Sequence, residues 1–427
     1  MTEEARIDMT TTDESNGGSK NGPLTGYRVL EVGSTVAGPF CGRLLADFGA
    51  EVVKVEVADG DLVRSMGKRK NGKSLYAASI FRNKEMISVD LRRPEGQELI
   101  RKLAAKSDFM IENFRPGGIE NWGLGYDVLS KLNPKLILVR ISGFGQTGPY
   151  AQRPGYGIIG EAVSGLREIT GDPDRPPARV SVSMTDYIAG LYAAFGAMMA
   201  LNERHRTGKG QVVDATLFEG AFSFTEPYVP AYAALGLIAT RTGSRLPDNI
   251  PNNLYATKDG RYVHITAVSQ PMFRRLCERM GRPELADDPR FKTAVARSEN
   301  EAALDAIIAA WVGARTMDVA ERELIDAGIP ASRIFNVADI FADPHYKARD
   351  MLVELPDPDL GTVTVAGVVP KLSATPGKLR WAGRPTGVDT RRVLADIAGL
   401  KPEEIETLIA SGTVFAADAK PAAKKRA

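Results

Sequence analysis

The segment YRVLEVGSTVAGPFCGRLLADFGAEVVKVEV, residues 27–57, carries the pattern that decides the fold. RVLEVG (28–33) has the short apolar run of a buried strand, and a turn with glycine and proline follows it. GRLLADFGA then has a helical pattern, and EVVKVEV (51–57) is again strand-like. A strand, a helix and a strand in this order predict a βαβ unit with two parallel strands.

The same alternation continues along the chain. The predicted strands are MISVDL (86–91), DFMIENF (108–114) and KLILVRIS (135–142), and Pro94 opens a helix between the first two. This pattern predicts an α/β fold with a Rossmann-like parallel sheet. Because ligands of such sheets bind at the carboxyl ends of the strands, the loops after Val32, Val57, Ile111 and Ile141 are the places to search for a site.

The second half of the chain has a different pattern. A long helix is predicted over residues 186–203, and YATKDGRYVHITAV then has the pattern of a β-hairpin with a Lys-Asp-Gly turn. Three amphipathic helical segments follow the hairpin. This region predicts a smaller α+β domain beside the large α/β domain.

Composition excludes several classes of function. The 427 residues include 55 Lys+Arg and 53 Asp+Glu, which gives a net charge of +2. So small a positive charge does not favour binding of nucleic acid. Two cysteines and three scattered histidines predict neither a disulfide scaffold nor a metal site. No apolar run has the length of a membrane span, and the polar first 23 residues do not resemble a signal peptide, so we expect a cytoplasmic protein without a membrane partner.

GFGQTG (143–148) matches the GxGxxG pattern of dinucleotide-binding proteins. That motif needs a helix directly after it, and Pro149 and Pro154 oppose one. We therefore expect no nicotinamide or flavin cofactor. The exposed backbone N–H groups of such a loop suit a carbonyl oxygen or an oxyanion.

Five segments together resemble the class III CoA-transferase family, which includes formyl-CoA transferase and carnitine CoA-transferase. They are STVAGPFCGRLLADFGAEVVKVE, FRNKEMISVDLRRPEG, ENFRPG, SGFGQTGPYAQRPGY and SMTDYIAGLYAAFGAMMAL. The resemblance runs from about residue 24 to about residue 372. It implies an enzyme that takes a coenzyme A thioester as substrate and has no permanently bound cofactor.

The resemblance implies that Asp186 is the catalytic nucleophile. Its carboxylate attacks the thioester carbonyl, and an aspartyl anhydride and then an aspartyl-CoA thioester follow. An ionised carboxylate needs no partner base, and Asp186 stands where a helix begins, a position that also suits a simple N-cap. The backbone N–H groups of Gly143 and Gly145 are candidate donors to the tetrahedral intermediates, and Gln146 is a candidate donor to an anhydride or thioester oxygen.

The resemblance also implies which residues contact CoA. Arg115 is the best candidate for a phosphate or pantetheine contact, and Lys84 and Arg64 are candidates for phosphate. The full set of expected contacts is Val36, Ala37, Arg64, Asn83, Lys84, Asn113, Phe114, Arg115, Phe144 and Tyr156.

Some positions depart from relatives of the same fold. α-Methylacyl-CoA racemases need a histidine where Tyr156 stands and an aspartate where Gly157 stands, so racemase activity is the less favoured alternative. The glycine-tetrad loop of formyl-CoA transferase is absent. The segment GDPDRPPARVSVSMTDY is more similar to members that use dicarboxylic acids, which favours succinyl-CoA as donor. Arg153, Arg179 and Arg245 are candidate partners of a distal carboxylate.

The resemblance further implies the organisation of the chain and an interlocked homodimer. A heteromer with a paralogue, or a non-catalytic acyl-CoA-binding subunit, remains an alternative. The predicted boundaries are a disordered tail (1–23), the first part of a large CoA-binding α/β domain (24–225), a linker (226–253), a small α+β domain (254–335), a return to the large domain (336–400) and a C-terminal helix with a basic tail (401–427).

Overall fold

The structure, a computed structural model, describes residues 22–417. The predicted N-terminal tail, up to residue 21, and the basic C-terminal tail, from residue 418, lie outside the described residues. The described chain divides into two compact units. The first takes the chain as far as Leu166, Val180–Glu226 and the chain from Lys347 on, and the second takes Arg167–Arg179 and Pro227–Tyr346. The predicted domain boundaries stay predictions.

The strands of the described residues are β1 (Arg28–Glu31), β2 (Glu51–Glu56), β3 (Arg69–Lys70), β4 (Lys73–Ser74), β5 (Lys84–Val89), β6 (Phe109–Glu112), β7 (Ile137–Ser142), β8 (Val212–Thr216), β9 (Asn252–Ala256), β10 (Tyr262–Thr266), β11 (Ala331–Arg333), β12 (Leu352–Asp357), β13 (Gly361–Ala366) and β14 (Val414–Phe415). The α-helices are α1 (Ala37–Asp47), α2 (Leu75–Ile80), α3 (Pro94–Ala105), α4 (Tyr126–Leu132), α5 (Gly157–Val163), α6 (Met184–Thr207), α7 (Leu217–Phe222), α8 (Tyr228–Leu235), α9 (Gln270–Arg279), α10 (Ala294–Glu299), α11 (Glu301–Gly313), α12 (Met317–Asp326), α13 (Val337–Ala342), α14 (Pro344–Ala348), α15 (Thr390–Asp396) and α16 (Pro402–Ala410).

The first unit contains a seven-stranded sheet in the order β14-β5-β2-β1-β6-β7-β8. All neighbouring strands are parallel except β14, which runs antiparallel to β5. The α/β fold class and the parallel sheet predicted from the sequence are therefore confirmed. The small sheets of the molecule are antiparallel.

Both faces of this sheet are buried under helices. Val29 and Leu30 are adjacent in β1 and are fully buried in opposite layers, because successive strand residues point to opposite faces. The Leu30 layer packs against α3, α4, α15 and α16. The Val29 layer packs against α1 and α6, and the alanines and glycines of α6 allow close approach. The continuous apolar runs seen in the sequence are thus those of a doubly covered parallel sheet.

The second unit is a three-stranded antiparallel sheet, in the order β11-β10-β9, packed against helices α9, α11 and α12. Its β9–β10 hairpin is the one predicted from YATKDGRYVHITAV. The sequence analysis missed several short elements, and α8 and β14 illustrate why. α8 lies in the segment expected to be a linker, and its sequence YVPAYAAL has no side-chain cap at its start. β14 has only two residues, too few to show a strand period.

Helix α6 is long and apolar enough to cross a membrane by length and composition alone. In the structure its residues Ala189, Ala193 and Ala197 are fully buried in the core of the first unit. Packing in the core accounts for these alanines, whereas Leu191 and Phe195 on the same helix are exposed.

Candidate active site

The order of the strands opens a crevice at the carboxyl ends of β1 and β6. The chain runs from β1 outward to β2 and β5, and then returns to the other side of β1 with β6, β7 and β8. The loops after β1 and β6 therefore leave the sheet in opposite directions, which is where open α/β sheets bind ligands. Two of the four loops proposed from the sequence, those after Val32 and Ile111, border this crevice.

Asn113 joins the two loops across the crevice. Its Nδ2 donates to the carbonyl of Ser34 at 2.7 Å, and its Oδ1 accepts the N–H of Ser34 at 2.8 Å. A Cβ on Gly33 would lie 2.9 Å from the same Oδ1, so the approach of the loops requires glycine there. Asn113 thus shapes the expected CoA-binding region, with its amide already engaged by backbone.

A cleft of about 520 Å³ lies beside the crevice, at the ends of β1, β2 and β5. Its wall includes Phe114, whose ring meets that of Trp122 edge to face at 5.0 Å. Val57 and Leu62 line it as well and are about half exposed. Apolar and aromatic side chains that line a cleft open to solvent can bind the flat ring of a ligand. Val57 directly precedes another of the predicted loops, the one after β2, whereas sequence reasoning missed Trp122.

Arg115 follows Phe114 and is exposed. Within residues 22–417 its guanidinium makes neither an ion pair nor a hydrogen bond. A free guanidinium at the edge of a crevice is a ready partner for a phosphate.

A buried ion pair supports the base of this loop. Glu112 accepts the N–H of Phe114 at 2.8 Å and the Nε of Arg140 at 2.6 Å. Burial raises the pKa of Glu112, although Arg140 opposes that change. Arg140 also donates to Glu120, which lies beyond the loop. Only the three-dimensional structure shows this support.

Val36 and Ala37 lie at the start of α1 and are buried, so their side chains face the protein rather than an open site. Phe144 is also buried and contacts the rings of Tyr150 and Phe218. Tyr156, by contrast, is exposed and stands at the N-cap of α5.

The structure corrects the expected roles of Asn83 and Lys84. Lys84 is fully buried, and its Nζ donates to Glu31 Oε2 at 2.6 Å and to the carbonyl of Pro39 at 2.7 Å. Asn83 is buried with a positive φ of 62°, and its amide bonds to Asp47 and to the backbone of residues 378–380. Neither side chain is available to a phosphate. A basic residue beside an asparagine has the same appearance in the sequence whether it is buried or exposed.

Arg64 is engaged as well. Its Nε and Nη2 donate to the buried carboxylate of Glu56 at 2.9 and 2.8 Å, and Nη2 also donates to the carbonyl of Arg384 at 2.9 Å. The fork that would hold a phosphate is therefore occupied by a carboxylate. Arg64 fastens the loop after β2 rather than offering a free charge.

The loop 143–148 uses two of its N–H groups internally. Gly145 N–H donates to Ser142 Oγ, and Gln146 N–H donates to Asp214 Oδ2, both at 2.9 Å. An oxyanion contact by Gly145 would replace the first of these bonds. The side-chain Nε2 of Gln146 is buried and has no hydrogen-bond partner in the structure. A buried N–H group without a hydrogen-bond partner lowers the stability of the fold. The Gln146 side-chain amide is therefore a stronger candidate than the Gly145 N–H for a hydrogen bond to a substrate oxygen.

Two glycines bring this loop against the start of α5. A Cβ on Gly143 would lie 2.6 Å from the Cα of Gly155, so the two backbones touch where no side chain fits. Tyr156 and Gly157 follow directly.

Asp186 lies in the first turn of α6 and is half-buried. Thr185 Oγ1 donates to the carbonyl of Gly157 at 2.6 Å, which ties the start of α6 to the start of α5. A Cβ on Gly157 would overlap Oδ2 of Asp186. One turn further along α6, a Cβ on Gly190 would lie 2.8 Å from the carbonyl of Ala37, so the start of α6 packs on the helix that leaves the crevice. The structure thus brings Asp186 and Gly157 into direct contact.

Tyr76 and Tyr187 lie beside Asp186, and sequence reasoning missed both. Their hydroxyl groups are 2.7 Å apart, and Tyr187 directly follows Asp186. Burial raises the pKa of Tyr76, and its bond to Tyr187 and the negative charge of Asp186 raise it further. Tyr76 therefore stays protonated and holds the turn that presents Asp186.

The three arginines suggested for a distal carboxylate have different surroundings. Arg153 lies over the ring of Tyr150 at 3.4 Å in the first unit. Arg245 pairs with Glu301 at 3.3 Å in the second unit, to which Arg179 also belongs. Among residues 22–417, no group of three or more His, Cys, Asp or Glu side chains has the arrangement of a metal site.

The chain is similar to known proteins over most of its length. The sequence profile of CoA-transferase family III matches residues 24–390. Succinyl-CoA–D-citramalate CoA-transferase of Chloroflexus aurantiacus is 47% identical over 394 residues, which cover 92% of this chain and 98% of that protein. The beta subunit of succinyl-CoA–L-malate CoA-transferase from the same organism is 40% identical, over 90% of this chain and 96% of that subunit.

Solved structures show the same fold. A CAIB/BAIF family protein from Brucella suis superposes with a TM-score of 0.79 at 36% sequence identity, covering 88% of this chain and all of that one. With a family profile that spans most of the sequence and relatives that match over 90% and 92% of it, the chain belongs to CoA-transferase family III and is an enzyme of that class.

Proposed function

We propose that the protein transfers CoA from an acyl-CoA to a carboxylic acid through a covalent intermediate on Asp186. The observation that carries the proposal is the position of this carboxylate, half-buried in the first turn of α6 and against the backbone of Gly157. The N-terminal end of a helix favours the ionised form, which is the nucleophilic one.

The reaction proceeds in balanced steps. A carboxylate oxygen of Asp186 attacks the thioester carbonyl carbon, the C–S bond breaks, and CoA leaves as a thiolate. The thiolate attacks the aspartyl carbonyl of the anhydride and releases the first acid as a carboxylate. The second acid then attacks the aspartyl-CoA thioester, and the same steps in reverse give the new acyl-CoA. The unpaired Nε2 of Gln146 is the proposed donor to the developing oxyanion.

Succinyl-CoA is the proposed donor and a dicarboxylic acid the proposed acceptor, because the relatives cited are named for succinyl-CoA with citramalate or malate. The nucleotide end of CoA is assigned to the crevice, with its ring against Phe114 and Trp122 and a phosphate on Arg115. Racemase activity is disfavoured. The described part of the first unit contains one histidine, His205, which lies nineteen residues from Asp186 on α6, or roughly 28 Å at 1.5 Å per residue.

An interlocked homodimer is the proposed assembly, with a heteromer as the alternative suggested by the subunit name of the malate relative. Support comes from large apolar side chains that are exposed in the single chain, including Leu191 and Phe195 on α6 and Tyr232 and Leu235 on α8. The cytoplasm remains the proposed location, in keeping with two buried free thiols, Cys41 and Cys277.

The covalent intermediate can be trapped. Incubation with succinyl-CoA and hydroxylamine, without acceptor acid, should convert Asp186 to its hydroxamate, which mass spectrometry of the peptide identifies. A panel of dicarboxylic acids that includes citramalate and malate then defines the acceptor. CoA binding with no adduct on Asp186 would indicate a non-catalytic binding subunit. Deuterium uptake from solvent at the acyl α-carbon would indicate a racemase.

Arg115→Ala should raise KM for succinyl-CoA by about 10- to 100-fold, since a hydrogen bond to a charged group contributes about 1.5–3 kcal/mol. The value of kcat should stay within about threefold, because Arg115 is assigned to the nucleotide and not to the reacting carbonyl. Arg206→Ala is the control, since Arg206 is an exposed arginine in the last turn of α6. An unchanged KM would remove Arg115 from the CoA site.

A further inference from the structure

Four charged side chains are buried together beneath the loop that leaves β1. They are Glu31, Lys54, Asp61 and Lys84, and each side chain is at most 1% exposed. Lys54 lies 3.0 Å from Asp61 and 3.5 Å from Glu31, and Lys84 lies 2.6 Å from Glu31. Two lysines and two carboxylates balance in charge. We call this group the buried charge cluster.

Other bonds of the buried charge cluster go to the backbone of residues 33–39, and Asp61 also accepts the N–H of Val63 at 3.0 Å. Lys54 Nζ donates to the carbonyl of Gly33 at 2.5 Å, and Lys84 Nζ donates to that of Pro39 at 2.7 Å. Asp61 accepts the N–H of Thr35 at 3.1 Å. The cluster therefore fastens residues 33–39, which form the end of the β1–α1 loop and the first turn of α1, at Gly33, Thr35 and Pro39.

The fastened loop has a conformation that it would not adopt unaided. Thr35 has a φ of 66°, in the left-handed region, which costs a non-glycine residue about 1–2 kcal/mol. The bond from Thr35 N–H to Asp61 offsets that cost. Gly42 makes room for the cluster, since a Cβ there would overlap Oε2 of Glu31.

Stability alone does not account for four buried charges. Apolar side chains of similar volume are often as stabilising as a buried ion pair, because desolvation of the charges offsets their attraction. Apolar side chains, however, cannot bond to the carbonyl and N–H groups of a polar loop. Here the loop in question borders the crevice, where Ser34 meets Asn113.

We propose that the buried charge cluster is a positioning device that holds residues 33–39 in the shape that receives the CoA thioester. This inference rests on the proposed function, because it assigns CoA to the crevice. None of the four side chains touches the reacting atoms. Their contribution is to keep the loop in its binding conformation before CoA arrives, so that binding does not have to order it.

The test is calorimetric titration with free CoA, which requires no turnover. The variant Lys54→Met/Asp61→Asn removes one charge of each sign. It keeps an acceptor for Thr35 N–H, because Asn retains a carbonyl oxygen, and it loses the bond to Gly33. If the loop then adopts the binding shape one-tenth of the time, Kd for CoA rises about tenfold. At saturating succinyl-CoA, kcat should stay within about threefold of wild type.

The control is Arg204→Met/Asp108→Asn, which removes an ion pair of 3.0 Å at the opposite, amino-terminal edge of the sheet. Its Kd for CoA should equal that of wild type. Equal affinity of wild type and the Lys54/Asp61 variant would overturn the inference. Failure of the wild type to bind CoA would instead contradict the proposed function.

A second variant covers the case in which the double variant does not fold. Thr35→Pro leaves all four charges in place but removes the N–H that Asp61 accepts and excludes a positive φ. We expect it to keep the melting temperature of wild type within a few degrees and to lose CoA affinity by about tenfold or more. Wild-type affinity in this variant would also overturn the inference.

Discussion

Asp186→Asn should lower kcat by roughly 10³- to 10⁶-fold, the scale of effect expected when a covalent nucleophile is removed. The amide keeps the shape of the side chain in the first turn of α6 but is a far weaker nucleophile than a carboxylate. Titration with free CoA should give the affinity of wild type, because the crevice is unchanged. The expected result is thus an enzyme that binds its substrate and does not turn over.

Two further variants complete this experiment. Asp186→Ala excludes recovery of activity by hydrolysis of the amide back to aspartate. Asp127→Asn is the matched control, since Asp127 also lies in the first turn of a helix, α4, and makes no ion pair within the described residues. Wild-type turnover by Asp186→Ala would rule out the covalent mechanism.

Gly157→Ala should lower kcat by about 100-fold, the loss that a displacement near 1 Å can cause in an active site. The added Cβ would occupy the position of Asp186 Oδ2, so the carboxylate has to move. Because the displaced atom is the end of a flexible side chain and Gly157 opens helix α5, folding should lose little. KM for succinyl-CoA should change by no more than about threefold.

Gly313→Ala serves as the comparison for this substitution. Gly157 is the first residue of helix α5, and Gly313 is the last residue of helix α11. A Cβ on Gly313 would lie no closer than 3.9 Å to its nearest non-neighbouring heavy atom. Both variants should melt near the temperature of wild type, and only Gly157→Ala should lose activity. A Gly157→Ala enzyme with normal kcat would show that the contact with Gly157 does not set the position of the nucleophile.

The structure gives a physical reason why glycine rather than aspartate at position 157 matters. The resemblance implies an aspartate at this position in α-methylacyl-CoA racemases, and the sequence alone gave the glycine no physical role. In the structure an aspartate there would place a second carboxylate against Asp186, and neighbouring carboxylates oppose each other's ionisation. Glycine instead gives Asp186, the proposed nucleophile, a neighbour without charge.

The site residues predicted from the sequence fall into two groups. For one group the neighbouring sequence is enough to suggest the role, and for the other the role depends on a partner far away in the chain. The sequence predicted roles for Asp186 at the head of a helix and Arg115 in a loop after a strand. In the structure Asp186 lies in the first turn of α6 and Arg115 is exposed, and their roles stay predictions. Lys84 was assigned to phosphate, yet its partner is Glu31, 53 residues away in the chain. No local pattern reports a partner at that distance.

The sequence by itself determined the parallel α/β sheet, because apolar runs that alternate with helical periods allow few other folds. It also predicted the edge of the sheet at which a ligand would bind, since the parallel strands all end at one edge. Only the tertiary structure decided which charges are buried and which are free, and which glycine touches Asp186. Periodicity is a property of neighbouring residues, whereas burial and ion pairing depend on chain segments that meet only after folding.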